Sequence, residues 1–482
     1  MKWILRLLPL LAAGLLTGCG WLSSLKEPLP AENITLGPLF RDGMVLQRGV
    51  RIPVWGWCEP GRRVRVEILE KKATAVADDA GRWMVVFDPL GHCDSIQINV
   101  IGKKTYILRD VMVGEVWFWA GDSNAFFPLA KADDGSKEAK ISSVYRLRVF
   151  HDGKWQQSGL NSAPYFSAAA YYFGRRMQYE MKEAFGIIQL PGGDRPLTDW
   201  LAPNGAVFHE QVLPLLPYPV HGVVWNHHRP AGSAAEYRTQ LTDVINAWRR
   251  LEGAEHHFVI VQTPNCGSQW PLPQESKLAE LREAQLQTSQ RVPNSYCLVT
   301  IDLGKPDQPL PQYDQRKFAD RLAQLTERTA YREHFIKPEQ HPSISGPIFD
   351  RMTVEGGKIR IQFQSVGKGL EVKNGGRLLH FAIAGQNGRF YWANAAVDGK
   401  DVIVWSGKVP KPTAVRYAWA DDPCGCNLFN QDGLPASPFR TDVPTAIVGT
   451  TTSAPAATPA PRPAVAPTPA ALPWWDVRRF WR

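Results

Sequence analysis

Residues 111–124 read VMVGEVWFWAGDSN, a nearly continuous apolar run that ends abruptly in polar residues. An apolar run of this kind is typical of a strand that is buried on both faces of a parallel sheet. The polar residues after it predict a loop at the carboxyl end of the strand, where open α/β sheets carry their functional side chains. Ser123 is therefore the first candidate reactive residue.

Helices and strands alternate on the C-terminal side of this stretch. Helical periodicity is found at residues 167–185, 234–251, 276–290 and 315–331, and buried-strand patterns lie between these segments at 222–225, 257–262 and 296–303. Such alternation predicts a doubly wound α/β domain with a flavodoxin-like parallel sheet. We assign residues 113–340 to it.

Short β runs separated by turns lie on both sides of this domain. Residues 36–112 and 341–442 contain β-branched and aromatic segments, punctuated by turn sequences such as Glu59-Pro60-Gly61. The predicted fold class is therefore α/β, with the parallel sheet flanked by N- and C-terminal all-β domains.

The N-terminus has the layout of a lipoprotein signal peptide. Lys2 and Arg6 precede an apolar segment, residues 7–16, that is too short to span a bilayer, and Cys19 follows small residues. We predict a signal peptide at residues 1–18, lipidation of Cys19 and a tether at 19–35. The protein would then be exported and lipid-anchored in the bacterial cell envelope, at the outer membrane in a Gram-negative cell. The alternative is an ordinary cysteine near a cleavage site.

The C-terminus is a spacer followed by an aromatic and basic tail. Residues 443–473 are rich in Pro, Ala and Thr, which predicts an extended linker. The tail, residues 474–482, contains Trp474, Trp475, Arg478, Arg479, Phe480 and Trp481. Two interpretations remain open: a tag that docks on a membrane surface or an envelope protein, and an exposed tail without a role.

Charge and cysteine content narrow the choice of partners. The 55 Lys and Arg residues are scattered among 46 Asp and Glu residues, for a net charge of +9, which argues against a nucleic-acid partner. No cofactor is expected, and no metal, because the six cysteines after Cys19 fit no zinc signature. Cys58 and Cys93 form the most plausible disulfide, since both are predicted at strand ends of one small domain.

Three blocks of sequence resemble the bacterial sialate O-acetylesterases, which are SGNH-type carbohydrate esterases. They are LFRDGMVLQR at 39–48 with PVWGW at 53–57, the stretch 113–124, and AVRYAWA at 414–420 with GLPASPFRTD at 433–442. The family usually has Gly-Gln-Ser-Asn-Met where this chain has Gly121-Asp122-Ser123-Asn124. The likeness extends from about residue 36 to 442.

The resemblance implies hydrolysis of O-acetyl esters on sialic acid or related sugars, and an acetylated glycan as partner. In this chemistry a serine attacks, a histidine oriented by an aspartate takes its proton, and amide groups stabilise the oxyanion. Ser123 matches the nucleophile, and Gly192 or Gly193 would donate to the oxyanion. The alternative is that Ser123 only caps the following helix.

The chain departs from the family where the base and its orienting residue are expected. The family has Asp-Ile-His-Pro where this sequence has Gln308, Pro309, Leu310 and Pro311, and Ala231 replaces the oxyanion asparagine. Loss of the base typically costs about 10³-fold or more in rate. Three hypotheses follow: a weak or inactive carbohydrate esterase, a non-catalytic glycan-binding or scaffold protein of the envelope, and an active serine esterase with a relocated base at His227 or His228.

The anchor generates the first prediction. Cys19→Ala removes the sulfur that would carry the lipid, so the variant should be unacylated and extractable from membranes without detergent. Metabolic labelling with a fatty-acid analogue and membrane fractionation measure both properties. Cys58→Ala, which changes a cysteine in the β region, should behave as wild type. A labelled Cys19→Ala protein would contradict the prediction.

Overall fold

The computed structural model describes residues 27–230, 232–305 and 314–442, which hold twenty-four strands and six α-helices. The N-terminal region contains β1 Thr35–Leu36, β2 Val45–Gln47, β3 Ile52–Trp57, β4 Arg63–Ile68, β5 Lys71–Val76, β6 Arg82–Phe87, β7 Cys93–Ile101 and β8 Thr105–Gly121. The central strands are β9 Val144–His151, β10 Lys154–Ser158, β11 Phe185–Pro191, β12 Gly222–Asn226, β13 His257–Val261 and β14 Ser295–Leu298. The predicted signal peptide, Cys19, the linker and the C-terminal tail lie outside the described residues.

Six α-helices accompany the central strands. They are α1 Gly135–Lys140, α2 Ala168–Met181, α3 Ala234–Glu252, α4 Lys277–Arg291, α5 Gln315–Arg328 and α6 Arg332–Phe335. Short 3₁₀ turns occur at Ser123–Phe126, Leu129–Lys131, Ala163–Tyr165, Leu197–Trp200 and Leu213–Leu215, and a π-helical turn at Phe208–Val212. None of the helices in the described part of the chain is long and apolar enough to span a membrane.

Strand β8 joins the N-terminal β region to the central sheet. Its first half pairs antiparallel with β7, and its second half pairs parallel with β11 and β12. The predicted domain boundary between residues 112 and 113 falls inside this one strand of 17 residues. The N-terminal β region and the central sheet are therefore continuous through a shared strand, instead of being joined by a linker.

The central sheet has parallel strands with helices on both faces. Its order is β10-β9-β11-β8-β12-β13-β14, and all neighbours are parallel except β10 with β9. Alternate residues of β8 enter different cores: Phe118 packs with residues of α3 and α4, whereas Trp117 and Trp119 pack with residues of α2 and α5. Burial on both faces explains the apolar run in the sequence.

The C-terminal region consists of small antiparallel sheets. Its strands are β15 Ile348–Glu355, β16 Lys358–Gln364, β17 Leu370–Val372, β18 Phe381–Gly385, β19 Phe390–Trp392, β20 Asn394–Asp398, β21 Asp401–Trp405, β22 Pro412–Tyr417, β23 Leu428–Asn430 and β24 Phe439–Arg440. The fully buried Arg282 of α4 attaches this region to the central domain, because its guanidinium donates to the carbonyls of Thr263, Pro264, Ala420 and Asp421 at 2.6–2.8 Å.

The sequence patterns miss three central strands, β9, β10 and β11. The helix predicted at 167–185 ends at Met181, where Lys182 takes a left-handed backbone conformation with φ of 61°, and Phe185 already begins β11. The apolar residues of β11 continue directly from the helix, so a short buried strand resembles a further turn of helix in the sequence.

The disulfide predicted between Cys58 and Cys93 is wrong, because both cysteines are free thiols. Cys58 follows Trp57, which pairs with Arg82 at one end of the β3–β6 pair. Cys93 follows the opposite end of this pair, after Phe87. The N–H of Cys58 donates to Gly81 O, whereas Cys93 lies opposite Val113 of β8, so the two cysteines belong to different strand pairs.

A buried carboxylate in β8 holds several elements together. Glu115 is 1% exposed and contacts the Arg48 guanidinium, and it also accepts hydrogen bonds from Gln47 Nε2 at 3.1 Å, His221 Nδ1 at 2.9 Å and Tyr331 Oη at 3.2 Å. Burial alone would raise the pKa of Glu115, but the hydrogen bond and charge of His221, with the charge of Arg48, lower this pKa to about 2.

Glu115→Gln should therefore destabilise the fold. The substitution removes the charged acceptor that Arg48, Gln47 and His221 share, and loss of a buried charge-assisted hydrogen bond typically costs about 1.5–3 kcal/mol. Because the folded-state pKa lies below the usual 4.5, the stabilisation by Glu115 is complete above that pH and is lost as the pH falls towards about 2. Urea unfolding at pH 7 and at low pH measures both effects.

The control for this prediction is Glu183→Gln. Glu183 contacts the same guanidinium at 2.9 Å but is 23% exposed, so its loss should cost less than about 1 kcal/mol. Equal destabilisation by the two substitutions would contradict a special role of Glu115.

Candidate functional site

Three loops at the carboxyl edge of the central sheet bring the candidate residues together. They follow β8, β11 and β12, which are neighbours in the sheet with β8 in the middle. In the strand register, Gly121 lies opposite Pro191 on one side and Asn226 on the other. The serine, the glycine pair and the histidine pair predicted from the sequence therefore stand at the ends of adjacent strands.

Ser123 is exposed and begins a short 3₁₀ helix, but it is not the cap of that helix. The cap is Asp122, whose Oδ1 accepts a hydrogen bond from the backbone N–H of Asn124 at 3.0 Å. The alternative reading of Ser123 as a capping residue is therefore wrong. Its hydroxyl remains available for other contacts.

Asp122 is a site residue that the sequence analysis missed. It is fully buried, and its Oδ2 accepts the backbone N–H of His228 at 2.8 Å, which links the loops after β8 and β12. Its position directly before a helical turn is typical of a capping aspartate, and this signal could have identified it. Its contacts give it a positioning role.

The two glycines after β11 have different tasks. The N–H of Gly192 donates to Gly121 O at 3.0 Å, and a Cβ at this position would lie 2.2 Å from Cζ2 of Trp200. Gly193 has a φ of 62°, and its N–H donates to no other described residue. Gly192 is therefore a close-packing residue, and Gly193 is the glycine that offers a free donor.

A carboxylate occupies the place next to the serine. Ser123 Oγ donates to Oδ1 of Asp194, and the Arg229 guanidinium lies 3.1 Å from the same oxygen. The hydrogen bond from Ser123 and the charge of Arg229 together hold the pKa of Asp194 below its usual value. Asp194 follows the predicted glycine pair directly, but no pattern in the sequence marks it as a partner of Ser123.

Neither histidine makes a hydrogen bond to Ser123 among the contacts of the described residues. His227 is buried, its Nε2 lies 3.0 Å from the carbonyl oxygen of Arg195, and burial lowers its pKa. His228 is also buried, and its Nδ1 lies 3.1 Å from Oγ1 of Thr263. Both rings are therefore held by residues other than the serine.

The hydrogen bonds around His228 define its tautomer. Gln285 Oε1 accepts the N–H of Thr263 at 2.8 Å and lies 3.2 Å from the Thr263 hydroxyl, which donates to it. The hydroxyl must then accept from Nδ1–H of His228, so that Nε2 is unprotonated. That nitrogen is buried and has no partner among the described residues. Burial lowers the pKa of His228 to about 4.

Three positions of the predicted site lie outside the described residues: Ala231, Gln308 and Leu310. The donors that the described part provides are the Ser123 hydroxyl, the Gly193 amide and the Arg229 guanidinium. Within the described ranges, no group of three His, Cys, Asp or Glu side chains could hold a metal ion. These hydrogen-bond donors are suited to bind a carbonyl oxygen or a carboxylate of a ligand.

Comparisons with known proteins identify similar acetylesterases. A solved carbohydrate acetylesterase from Xanthomonas citri is 32% identical, with a TM-score of 0.79 over 85% of this chain and 100% of that chain. Human sialate O-acetylesterase is 22% identical over 483 residues, which cover 82% of this chain and 90% of the human protein. The mouse sialate O-acetylesterase is 26% identical over 180 residues, which cover 30% of this chain and 33% of the mouse protein. No family model matches the chain.

The buried His228 predicts a pH dependence of stability. Its folded-state pKa of about 4 lies below the usual 6.5, so between these values the unfolded chain binds more protons and the stability falls as the pH decreases. His228→Gln should remove up to about 1.4 kcal/mol of the loss per pH unit within this window. Urea unfolding at pH 6.5 and 5.5 measures it.

The control variant for this measurement is His209→Gln, which changes an exposed histidine. It should keep the pH dependence of the wild type. If the unfolding free energy of His228→Gln also depends on pH as in the wild type, the interpretation of His228 as a buried, neutral imidazole is contradicted.

Proposed function

Since this chain belongs to the sialate O-acetylesterase family of carbohydrate esterases, we propose that it binds an O-acetylated sugar at Ser123 but hydrolyses the ester only weakly. The sugar would be sialic acid or a related sugar, in line with the names of the mammalian relatives. The proposal concerns two points: a ligand that carries an acetyl ester, and a site that is poor at activating its serine.

One observation carries the proposal: the hydroxyl of Ser123 is paired with the carboxylate of Asp194 and with no imidazole among the described residues. Attack of Ser123 Oγ on the acetyl carbon requires a group that takes the hydroxyl proton as the C–O bond forms. A general base is most effective when its pKa is close to the working pH. The pKa of Asp194 is held below 3.8, so this carboxylate is a weak base at neutral pH.

Binding of the ester is supported by the remaining donors. The N–H of Gly193 has no acceptor in the described residues, and it follows a strand that neighbours the strand of Ser123. An N–H so placed could donate a hydrogen bond to the carbonyl oxygen of an acetyl group. Arg229 is paired with Asp194 at 3.1 Å, and its remaining N–H groups could donate to oxygen atoms of the sugar.

We also propose that the protein acts in the cell envelope. Export and lipid anchoring are supported by the small residues before Cys19 and by the apolar segment 7–16, which follows the basic residues Lys2 and Arg6. A lipid at Cys19 would hold the body of the protein near the membrane through residues 19–35. The substrate would then be a glycan that reaches the envelope.

Restoring the base tests the proposed function. Gln308→Asp with Leu310→His reintroduces the aspartate and histidine of the family motif, so the double variant should hydrolyse 4-nitrophenyl acetate faster than the wild type. Adding Ser123→Ala should abolish the gain. The recovery should be partial, because a missing oxyanion donor at Ala231 typically costs about 10²–10³-fold.

The control is Gln312→His, which adds an imidazole to the same segment outside the family motif and should give no gain. Release of acetate from O-acetylated sialic acid is measured in parallel. A fast wild-type reaction that is lost in Ser123→Ala and in His227→Gln or His228→Gln would contradict weak hydrolysis. It would show that the base had moved to one of these imidazoles.

A further inference from the structure

An open cleft of about 490 Å³ lies where the loop between β13 and α4 meets the C-terminal strands β18 to β20. We name it the indole cleft. Its principal lining residues are Trp270, Arg377, Leu379, His380, Trp392 and Asn394. Its volume is in the range of sites that bind small molecules or sugar units, which is about 300–1,000 Å³. No acidic residue contributes to the lining.

Two indoles contribute to the apolar surface of the cleft. Trp392 is 39% exposed, although its Nε1–H donates to the carbonyl oxygen of Pro271 at 2.8 Å. Its ring also lies edge-on to the imidazole of His380, at 6.1 Å between centroids and 85° between planes. The exposed indole is therefore held in place, as a flat surface for a ligand requires. Trp270, in the loop between β13 and α4, is half-buried and also lines the cleft.

Polar groups with unused hydrogen-bonding capacity accompany the indoles. Nε2–H of His380 donates to the carbonyl oxygen of Cys424 at 2.7 Å, which leaves Nδ1 as an acceptor without a partner in the described residues. The exposed side-chain amide of Asn394 makes no hydrogen bond to the described part of the chain. Aromatic faces with a few separate donors and acceptors are suited to a sugar ring, which has apolar faces and hydroxyl groups around its edge.

A cation sets the charge of the cleft. Arg377 is exposed, and no carboxylate of the described ranges pairs with its guanidinium. The guanidinium group is planar and binds carboxylates through two parallel hydrogen bonds. Since the lining lacks acidic residues, the charge of the cleft is complementary to a sugar that carries a carboxylate.

The cleft is connected to the reactive loops by a short segment of chain. Thr263, which contacts His228 at 3.1 Å, begins this segment, and Trp270 follows seven residues later. Seven extended residues span at most about 25 Å. Arg282 holds the start of this segment against the C-terminal region, because it donates to the carbonyl oxygens of Thr263 and Pro264 and to that of Asp421. The position of the cleft relative to the reactive edge is therefore held by buried hydrogen bonds.

From this arrangement we infer that the indole cleft is a second sugar-binding subsite, which holds a carboxylated sugar of the glycan against Trp392 with Arg377 paired to the carboxylate. The inference rests on the proposed carbohydrate ligand, but not on any rate of hydrolysis. Two sources of the carboxylated sugar share this chemistry: sialic acid and uronic acid.

Binding by the full-length protein in detergent micelles tests the inference. Polysialic acid, polygalacturonate and neutral dextran are titrated while tryptophan fluorescence or heat is followed. We expect the wild type to bind one or both of the carboxylated glycans more tightly than dextran. Trp392→Ala and Arg377→Ala should each weaken this binding by about tenfold. The tighter of the two carboxylated glycans identifies the source.

Two controls accompany the variants. Trp57→Ala removes an indole of similar exposure, 37%, from the N-terminal region and should leave the affinity unchanged. Arg41→Ala removes an exposed guanidinium from the same N-terminal region and should also bind as the wild type. Arg377 is exposed, so Arg377→Ala remains informative if Trp392→Ala fails to fold, as judged by its thermal unfolding.

The inference would be overturned by no binding of either carboxylated glycan, by equal binding of dextran, or by unchanged affinity in Arg377→Ala. Loss of binding in Ser123→Ala with no loss in Trp392→Ala would overturn it as well, because the glycan would then occupy the reactive site alone. A fast wild-type esterase with intact cleft binding would reject weak hydrolysis and support the subsite. The two proposals can therefore fail separately.

Discussion

Strand β8 must bury both of its faces while it pairs with strands on both of its edges, and the rest of the structure depends on this constraint. Alternate side chains from Val116 to Ala120 fill two separate cores, one with α3 and α4 and the other with α2 and α5. The same strand continues backwards into the N-terminal region, where it pairs with β7. Because Glu115 lies in the middle of this strand, its charge must be compensated by partners from several elements.

The reactive edge follows from the position of β8 between β11 and β12. The loops leave these three strands side by side, and the buried Asp122 connects two of them. The arrangement keeps an exposed serine beside a free amide, as an acyl-transfer site requires, but it places a carboxylate where the proton of the serine must go. This pairing is the basis of the proposal that the edge binds an ester but activates its nucleophile weakly.

Buried hydrogen bonds connect the C-terminal sheets to the reactive loops, and the proposed second subsite depends on this connection. The Arg282 guanidinium donates hydrogen bonds to the carbonyl oxygens of Thr263 in the central domain and Ala420 in the C-terminal region. Burial lowers the pKa of Arg282 to about 10, so the side chain stays protonated at neutral pH. Gln262 adds a further buried hydrogen bond to Ser437 at 2.9 Å. These contacts fix the indole cleft relative to the serine, as the proposal of one extended glycan bound at both places requires.

The sequence by itself determined the class of fold, the position of Ser123 after a buried strand and the family, because these depend on local periodicity and on contiguous motifs. It also indicated the long helices to within a few residues, but it lost β11 where apolar residues run on from a helix. Only the tertiary structure decided that Asp194 pairs with Ser123 across 71 residues, that Gly193 has the free amide, and that Cys58 and Cys93 stay apart. All three features depend on how strands and loops that are distant in the chain are placed next to one another, so no local pattern of residues encodes them.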